Sequence, residues 1–211
     1  GAVTGWPRHL ARMRECQRMD KSGFTGLETP RLVLRHFSES DLEPFLAYRN
    51  DPEVARYQLW DPVRREEASD FIQEQRSIQP GDAGRGFQFA IEMREAGELI
   101  GDCYLKITEE DALQAEVGVT LAPQHQRRGF ASEAVSSVFD YVFLNLGLHR
   151  VVAITDCENE ASVALLNGLG MRREGHFIQN IWFKGRWGDE YIYAILEDEW
   201  LGMRDMGSSA S

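Results

Sequence analysis

Apolar residues recur at period two in several short runs of the chain and at helical spacing in others. Leu32 and Leu34 alternate with polar neighbours across 31–35, the period of a half-buried strand. Ser38 with Asp41 three residues on gives a helix-start signal, Asp replacing the longer Glu of a capping box. Leu42, Phe45, Leu46 and Arg49 then lie on adjacent turns of a helix that stops near Asn50-Asp51-Pro52. A second helix is predicted over 63–78, ended by Pro80-Gly81. Residues 87–93 and 99–108 read as antiparallel strands about a turn at 96–98, and 115–121 continues the meander until Pro123. A helix is predicted over 130–145. The β-branched run 150–156 has the composition of a buried strand. Asn159 opens another helix, which ends at Gly168-Leu169-Gly170, and strands over 171–182 and 189–196 flank the turn Lys184-Gly185-Arg186. A run of antiparallel strands followed by strand–helix–strand–helix–strand predicts an α/β fold: one mixed sheet with helices on its faces.

The two ends differ from this pattern. Residues 1–26 carry Arg8, Arg12, Arg14, Arg18 and Lys21 against Glu15 and Asp20, and read as a basic N-terminal extension. Residues 203–211, closing on Gly207-Ser208-Ser209-Ala210-Ser211, read as a flexible tail. That leaves 27–202 as a single domain, which 211 residues and 24.1 kDa accommodate. The longest apolar stretch, 138–148, is broken by Asp140, Asn145 and Gly147 well short of the ~18 residues a membrane span needs. Pro7, Arg8 and Arg12 stand where a signal peptide would carry its apolar core, so nothing points to export.

Charge and cysteine usage narrow the function classes. A net charge of −11 disfavours nucleic acid as a partner and suits polyamines, aminoglycosides or basic peptide tails. Cys16, Cys103 and Cys157 are far apart, no C-x-x-C occurs, and the five histidines are scattered. Neither a disulfide framework nor a metal site is expected, and a reducing, cytoplasmic setting fits.

Candidate chemistry concentrates in Gln126-Arg127-Arg128-Gly129-Phe130-Ala131-Ser132-Glu133-Ala134, between a strand end and a helix start. First-turn N–H groups of a helix have no internal partner, and with the helix dipole they suit an anion such as phosphate. Gly129 and Ala131 keep side chains away from the backbone, and Arg127 and Arg128 place two cations beside it. The alternative is a plain bend with exposed arginines. Neither a Walker loop nor G-x-G-x-x-G is present.

Gln126-x-x-Gly129-x-Ala131 resembles the pyrophosphate loop of the GCN5-related N-acetyltransferases. It follows Glu116-Val117-Gly118-Val119-x-Leu121, which resembles that family's fourth strand. It precedes Asn159-x-x-Ser162 and Leu169-Gly170-Met171, similar to the family's next helix and its end. The ending Trp187-Gly188-Asp189…Leu196…Glu199-Trp200 resembles the RimJ/RimL-like branch of ribosomal-protein acetyltransferases. The resemblance implies a mostly antiparallel sheet splayed between its fourth and fifth strands, with acetyl-CoA in the split. Pantetheine would then pair with the backbone of Val119 to Leu121. The pyrophosphate would lie on Gln126, Arg127, Arg128, Gly129, Phe130, Ala131 and Ser132. Asn159 would bond the pantetheine arm, with Asn167 further along the helix. Taken alone, Asn159 is equally a helix N-cap.

The implied activity is direct transfer of an acetyl group from acetyl-CoA to a primary amine, either a protein N-terminus or a small polyamine-like or aminoglycoside-like cation. Transfer needs a proton acceptor for the amine, polarisation of the thioester carbonyl, and a proton for the leaving thiolate. Glu116 is the first candidate base, ahead of Asp61, Glu66 and Asp189, and the Val119 N–H the candidate carbonyl donor. Leu166 occupies the position where many relatives carry an acid tyrosine, which leaves Ser162, or solvent, as the acid. Trp60, Trp182, Phe183, Trp187, Tyr191 and Tyr193 are available to wall an acceptor pocket, Trp60-Asp61 being the pair suited to a cation. An acyl-CoA-binding module without transferase activity is the competing reading, supported by Leu166, and the exposed final strands would suit a homodimer.

Overall fold

The computed structural model describes residues 24–58, 62–108 and 113–208. Most of the predicted N-terminal extension, together with Trp60 and Asp61, lies outside the described residues.

The chain opens with a two-residue edge strand β1 (Leu27–Glu28) and β2 (Leu32–Arg35). Ser38 does start the helical region: its N–H donates to Asp41 Oδ2 at 2.7 Å, and Arg35 holds the same carboxylate at 2.7 and 2.9 Å. A 3-10 turn leads into α1 (Leu42–Arg49), followed by the short α2 (Pro52–Ala55) and by α3 (Arg65–Ser77). Strands β3 (Gly86–Met93), β4 (Glu98–Ile107) and β5 (Gln114–Leu121) form the meander. Then come α4 (Phe130–Asp140), β6 (Arg150–Asp156), α5 (Glu160–Gly168), β7 (Arg172–Phe183), β8 (Arg186–Leu196) and α6 (Glu197–Ser208).

One eight-stranded sheet runs β1-β2-β3-β4-β5-β6-β8-β7. Every neighbour is antiparallel except β5 and β6, which run parallel across the α4 crossover. Helices cover both faces. On one, α4 packs Ala134, Val135, Val138 and Phe139 into a core shared with Leu105, Ala115, Val117 and Val151. On the other, Phe45 and Tyr48 of α1 and Ala68 and Ile72 of α3 pack with Ala90 and Leu99. That second layer includes the buried Arg49, whose Nη2 donates to Asp102 at 2.9 Å, and the Tyr48 hydroxyl, which donates to the same carboxylate.

Two predicted elements are corrected. The helix expected over 130–145 is α-helical only to Asp140 and continues as a π-turn over Tyr141–Asn145, where the chain widens before Gly147. The run 150–156 has an open side, Ile154 being 44% exposed. The closing helix α6 was not predicted. Trp200 secures it by packing edge-on against Phe139 and donating its indole N–H to Asp140 at 2.8 Å.

Candidate active site

The predicted fourth and fifth strands are β5 and β6, and they pair only through Gln114↔Arg150, Ala115↔Val151 and Glu116↔Val152. Beyond Glu116 they separate. Which backbone groups face the gap follows from the β4–β5 ladder, where Thr108 N–H donates to Gln114 O and Ala122 N–H to Ile100 O, both at 2.9 Å. Backbone direction alternates along a strand, so Gln114, Glu116, Gly118, Thr120 and Ala122 face β4. Val117, Val119 and Leu121 therefore present their N–H and C=O groups to the gap. A small cleft of about 30 Å3, partly open to solvent, lies in the split. Its walls are Val117, Gly118 and Val119 of β5, Ala153 and Ile154 of β6, Val135 of α4, and Ser162, Leu165 and Leu166 of α5.

The far end of the split is closed by the loop before α4. Gln126 Nε2 donates to Leu121 O at 3.0 Å, so this side chain ties the loop to the strand. Arg127 (φ 57°) and Gly129 (φ 78°) are both left-handed, a conformation that suits glycine and strains arginine. The double turn presents the first-turn N–H groups of Phe130, Ala131 and Ser132 outward. Phe130 itself is buried, with the Arg128 guanidinium 5.1 Å from its ring centroid. Arg127 and Arg128 make no ion pair among the described residues. First-turn backbone donors at a helix start, with Arg127 and Arg128 in the loop that leads into it, fit the diphosphate of a coenzyme. The exposed strand backbone fits its amide-bearing arm.

Asn159 is the N-cap of α5, its side-chain oxygen accepting from Ser162 N–H at 3.1 Å. Asn167 is exposed near the end of the same helix, and its carbonyl accepts from Gly170 N–H at 3.0 Å. Ser162 lies at the cleft, and so does Leu166, 6% exposed, leaving no phenol at that position.

Glu116 sits on the last rung before the split, on the opposite face of β5 from Val117 and Val119. Burial pushes its carboxyl above the usual carboxylate range; Lys106 opposes this and the charge of Glu190 adds to it. Tyr104, whose ring lies where a side chain on Gly86 would fall, is its neighbour, and burial together with Glu116 raises its phenol. Pairing Glu116↔Val152 and Asp156↔Glu190 puts Glu116, Ile154, Asp156, Glu190 and Ile192 on one face of the sheet. Phe177 of β7 lies opposite Glu190 and is 43% exposed. Asp156 and Glu190 are like charges directly across the β6–β8 ladder; Arg186 acts on Asp156, which also accepts from Glu158 N–H at 2.7 Å, and Glu190 accepts from the Asn180 amide at 2.5 Å. At one end of this face the β7–β8 hairpin is tied down, Lys184 donating to Ala55 O and Arg186 pairing with Glu158 at 2.6 Å.

Of the other candidates, Asp189 is already engaged by Gln179 N–H at 2.8 Å and faces His176 at 3.4 Å. Glu66 is exposed in the first turn of α3. Tyr193 is core, while Trp182 and Trp187 pack together on the surface, 60% and 55% exposed. Sequence reasoning did not find Tyr104, Asp156 or Glu190. The alternation along β6 and β8 carries the last two, but only the strand register puts them beside Glu116. Among the described residues no group of His, Cys, Asp and Glu is placed to hold a metal ion.

A family model described as "Acetyltransferase (GNAT) domain" matches residues 31–172. The uncharacterized N-acetyltransferase p20 of Bacillus licheniformis is 36% identical, over 83% of this chain and 98% of its own length. A solved GNAT-family acetyltransferase from Bacillus anthracis superposes with a TM-score of 0.74 at 29% identity, over 82% of this chain and 99% of that one. Spermidine N-acetyltransferase from Vibrio cholerae, solved in complex with CoA and spermine, superposes with a TM-score of 0.71 at 26% identity over the same shares.

Proposed function

The chain belongs to the GNAT acetyltransferase family, and from that membership we propose that it transfers the acetyl group of acetyl-CoA to a primary amine on a small cationic molecule of the polyamine type. The observation that carries the transfer is the parting of β5 and β6 just beyond Glu116, with the Val119 backbone turned into the gap opposite Ser162. The coenzyme supplies the activated thioester. The Val119 N–H polarises the thioester carbonyl as an oxyanion donor. Glu116 takes the proton of the incoming ammonium, through water, so that a neutral amine attacks. The Ser162 hydroxyl returns a proton to the departing thiolate.

The polyamine reading rests on two supports. Carboxylates at Glu116, Asp156 and Glu190 alternate with Ile154, Ile192 and Phe177 on one open face. Such a strip matches a chain of charged nitrogens joined by methylenes. The Vibrio cholerae relative was solved with spermine. A cytoplasmic setting belongs to the same proposal, supported by Cys103 and Cys157, which are both free thiols. So does a homodimer through the exposed β7 edge.

Thermal melts with acetyl-CoA, CoA and ATP test the coenzyme half. Ligand at about 100 times its Kd adds roughly 2.7 kcal/mol, a rise on the order of 5–10 °C for a chain of this size. Both CoA forms should shift the transition and ATP should not. Thiol release with spermidine, spermine, an aminoglycoside and a peptide N-terminus then tests the acceptor, with the polyamines expected to give the highest kcat/KM. Leu166 at the cleft favours a second reading, a CoA-binding module without turnover. Coenzyme binding with no amine-dependent thiol release would establish it.

A further inference from the structure

Arg31 immediately precedes strand β2, and its side chain lies against the loop before α4. Its backbone N–H and its Nε donate to the two oxygens of Glu133, at 2.9 and 2.6 Å, and Thr29 donates to the same carboxylate at 2.6 Å. Its Nη1 donates to the Arg128 carbonyl at 3.0 Å. Its guanidinium stacks over Phe130 at 4.5 Å, the ring that Arg128 also flanks, and its Nη2 lies 3.3 Å from where a side chain on Gly129 would begin. Nη2 has no partner among the described residues, and the side chain is 47% exposed.

The guanidinium groups of Arg31 and Arg128 flank one ring at a strained turn that also carries Arg127, and among the described residues Glu133 is the carboxylate that pairs with Arg31. A cluster of like charges in a chain of net charge −11 is not explained by folding needs. Two positive charges remain in surplus, close to the outward N–H groups of α4. Any carbonyl turned to the mouth of such a cradle would repel an anion, and Nη1 occupies the Arg128 carbonyl.

We propose that Arg31 is a third phosphate-binding residue of the coenzyme loop, its Nη2 bonding a diphosphate oxygen while its Nη1 holds the Arg128 carbonyl away from the anion. The assignment rests on the coenzyme reading above and adds to it a residue from the other end of the domain. It makes Arg31 specific for the nucleotide part of the donor, since the pantetheine arm lies along β5.

The test compares acetyl-CoA with S-acetylpantetheine, which lacks the diphosphate, as donors for the wild type, Arg31→Met, Arg31→Lys and the double variant Arg31→Met/Glu133→Gln. Losing one charge-assisted hydrogen bond should raise the acetyl-CoA KM about ten-fold or more in Arg31→Met, and leave kcat/KM with S-acetylpantetheine unchanged. Arg31→Lys keeps a charge for Glu133 but loses the fork, and should also raise the acetyl-CoA KM. The double variant removes the unpaired Glu133 and should not recover. Recovery in the double variant, or equal losses with both donors, would make Arg31 a structural partner of Glu133 and overturn the proposal. So would an unchanged acetyl-CoA KM in either single variant. A wild type whose melt is unmoved by CoA overturns the coenzyme reading itself, and Arg31 with it.

Discussion

Glu116 and Val152 form the last paired rung between β5 and β6, so the candidate base stands where the sheet begins to open. One residue marks both the end of the ladder and the start of the cleft. Its carboxyl is half-buried, faces the charge of Glu190, and is held above the usual carboxylate range. A base tuned in that direction holds protons more strongly at neutral pH than a solvated carboxylate does.

Glu116→Gln should lower kcat by about 10²–10⁴ and leave the acetyl-CoA KM within a small factor. In the wild type, kcat/KM should rise with pH along an acid limb lying above the ordinary carboxylate range. The raised pKa means that the folded protein binds this proton more tightly than the unfolded chain. Its stabilising contribution is complete below the unfolded value and is lost as pH rises through the folded one. At neutral pH the ionised carboxylate is therefore destabilising, and the variant should melt no lower than wild type. A large fall in melting temperature would count against this account.

Gly129→Ala places a side chain on a left-handed residue, 3.3 Å from Arg31 Nη2. The conformation alone costs about 1–2 kcal/mol, roughly 2–8 °C in melting temperature at this size. The acetyl-CoA KM should rise as well, because the loop and Arg31 move together. Calorimetric titration with CoA reads the second effect separately from the first.

Asn159 has a capping role and a proposed coenzyme role, and two substitutions separate them. Asn159→Ala removes the bond to Ser162 N–H and should cost about 1 kcal/mol, some 2–4 °C. Asn159→Asp keeps an acceptor for that N–H and should hold its melting temperature. A raised acetyl-CoA KM in the aspartate variant would then report the lost amide donor.

Asp102 accepts from both Tyr48 and Arg49 inside the α1 layer, with the Arg49 and Asp102 side chains 8% and 3% exposed. Asp102→Ala leaves the guanidinium buried without that carboxylate and should cost about 3–5 kcal/mol. A denaturant melt with unchanged slope and a lower midpoint would confirm it. A cost below about 1 kcal/mol would show that the pair is solvated in the native state.

Much of this was legible in the sequence because it is local. Alternation at Leu32 and Leu34 marks β2, and Gly129 after two arginines marks a sharp turn into a helix. The family motifs place the cleft residues Val119 and Ser162. What escaped reading depends on distant contacts. Arg31 reads as a polar neighbour in a strand until Glu133, 102 residues away, is brought beside it. Asp156 and Glu190 read as solvated charges until β6 and β8 pair. Helix α6 was hidden by Gly202 and Gly207, which lower helix propensity; the Trp200 contacts outweigh that cost.

Parity along β5 has one further consequence. Even-numbered residues send their side chains to the open face and their amides to β4, while odd-numbered ones send side chains to the core and amides to the cleft. The side chain proposed to move a proton and the amide proposed to polarise a carbonyl thus belong to opposite parities of one strand. Inserting a single residue between Glu116 and Val119 would keep some backbone N–H turned to the cleft but would swing the Val119 and Leu121 side chains out of the core and onto the open face. Inserting two would lengthen the strand without mixing the roles. The coupling makes this stretch a counting device, free in length by twos and intolerant of ones.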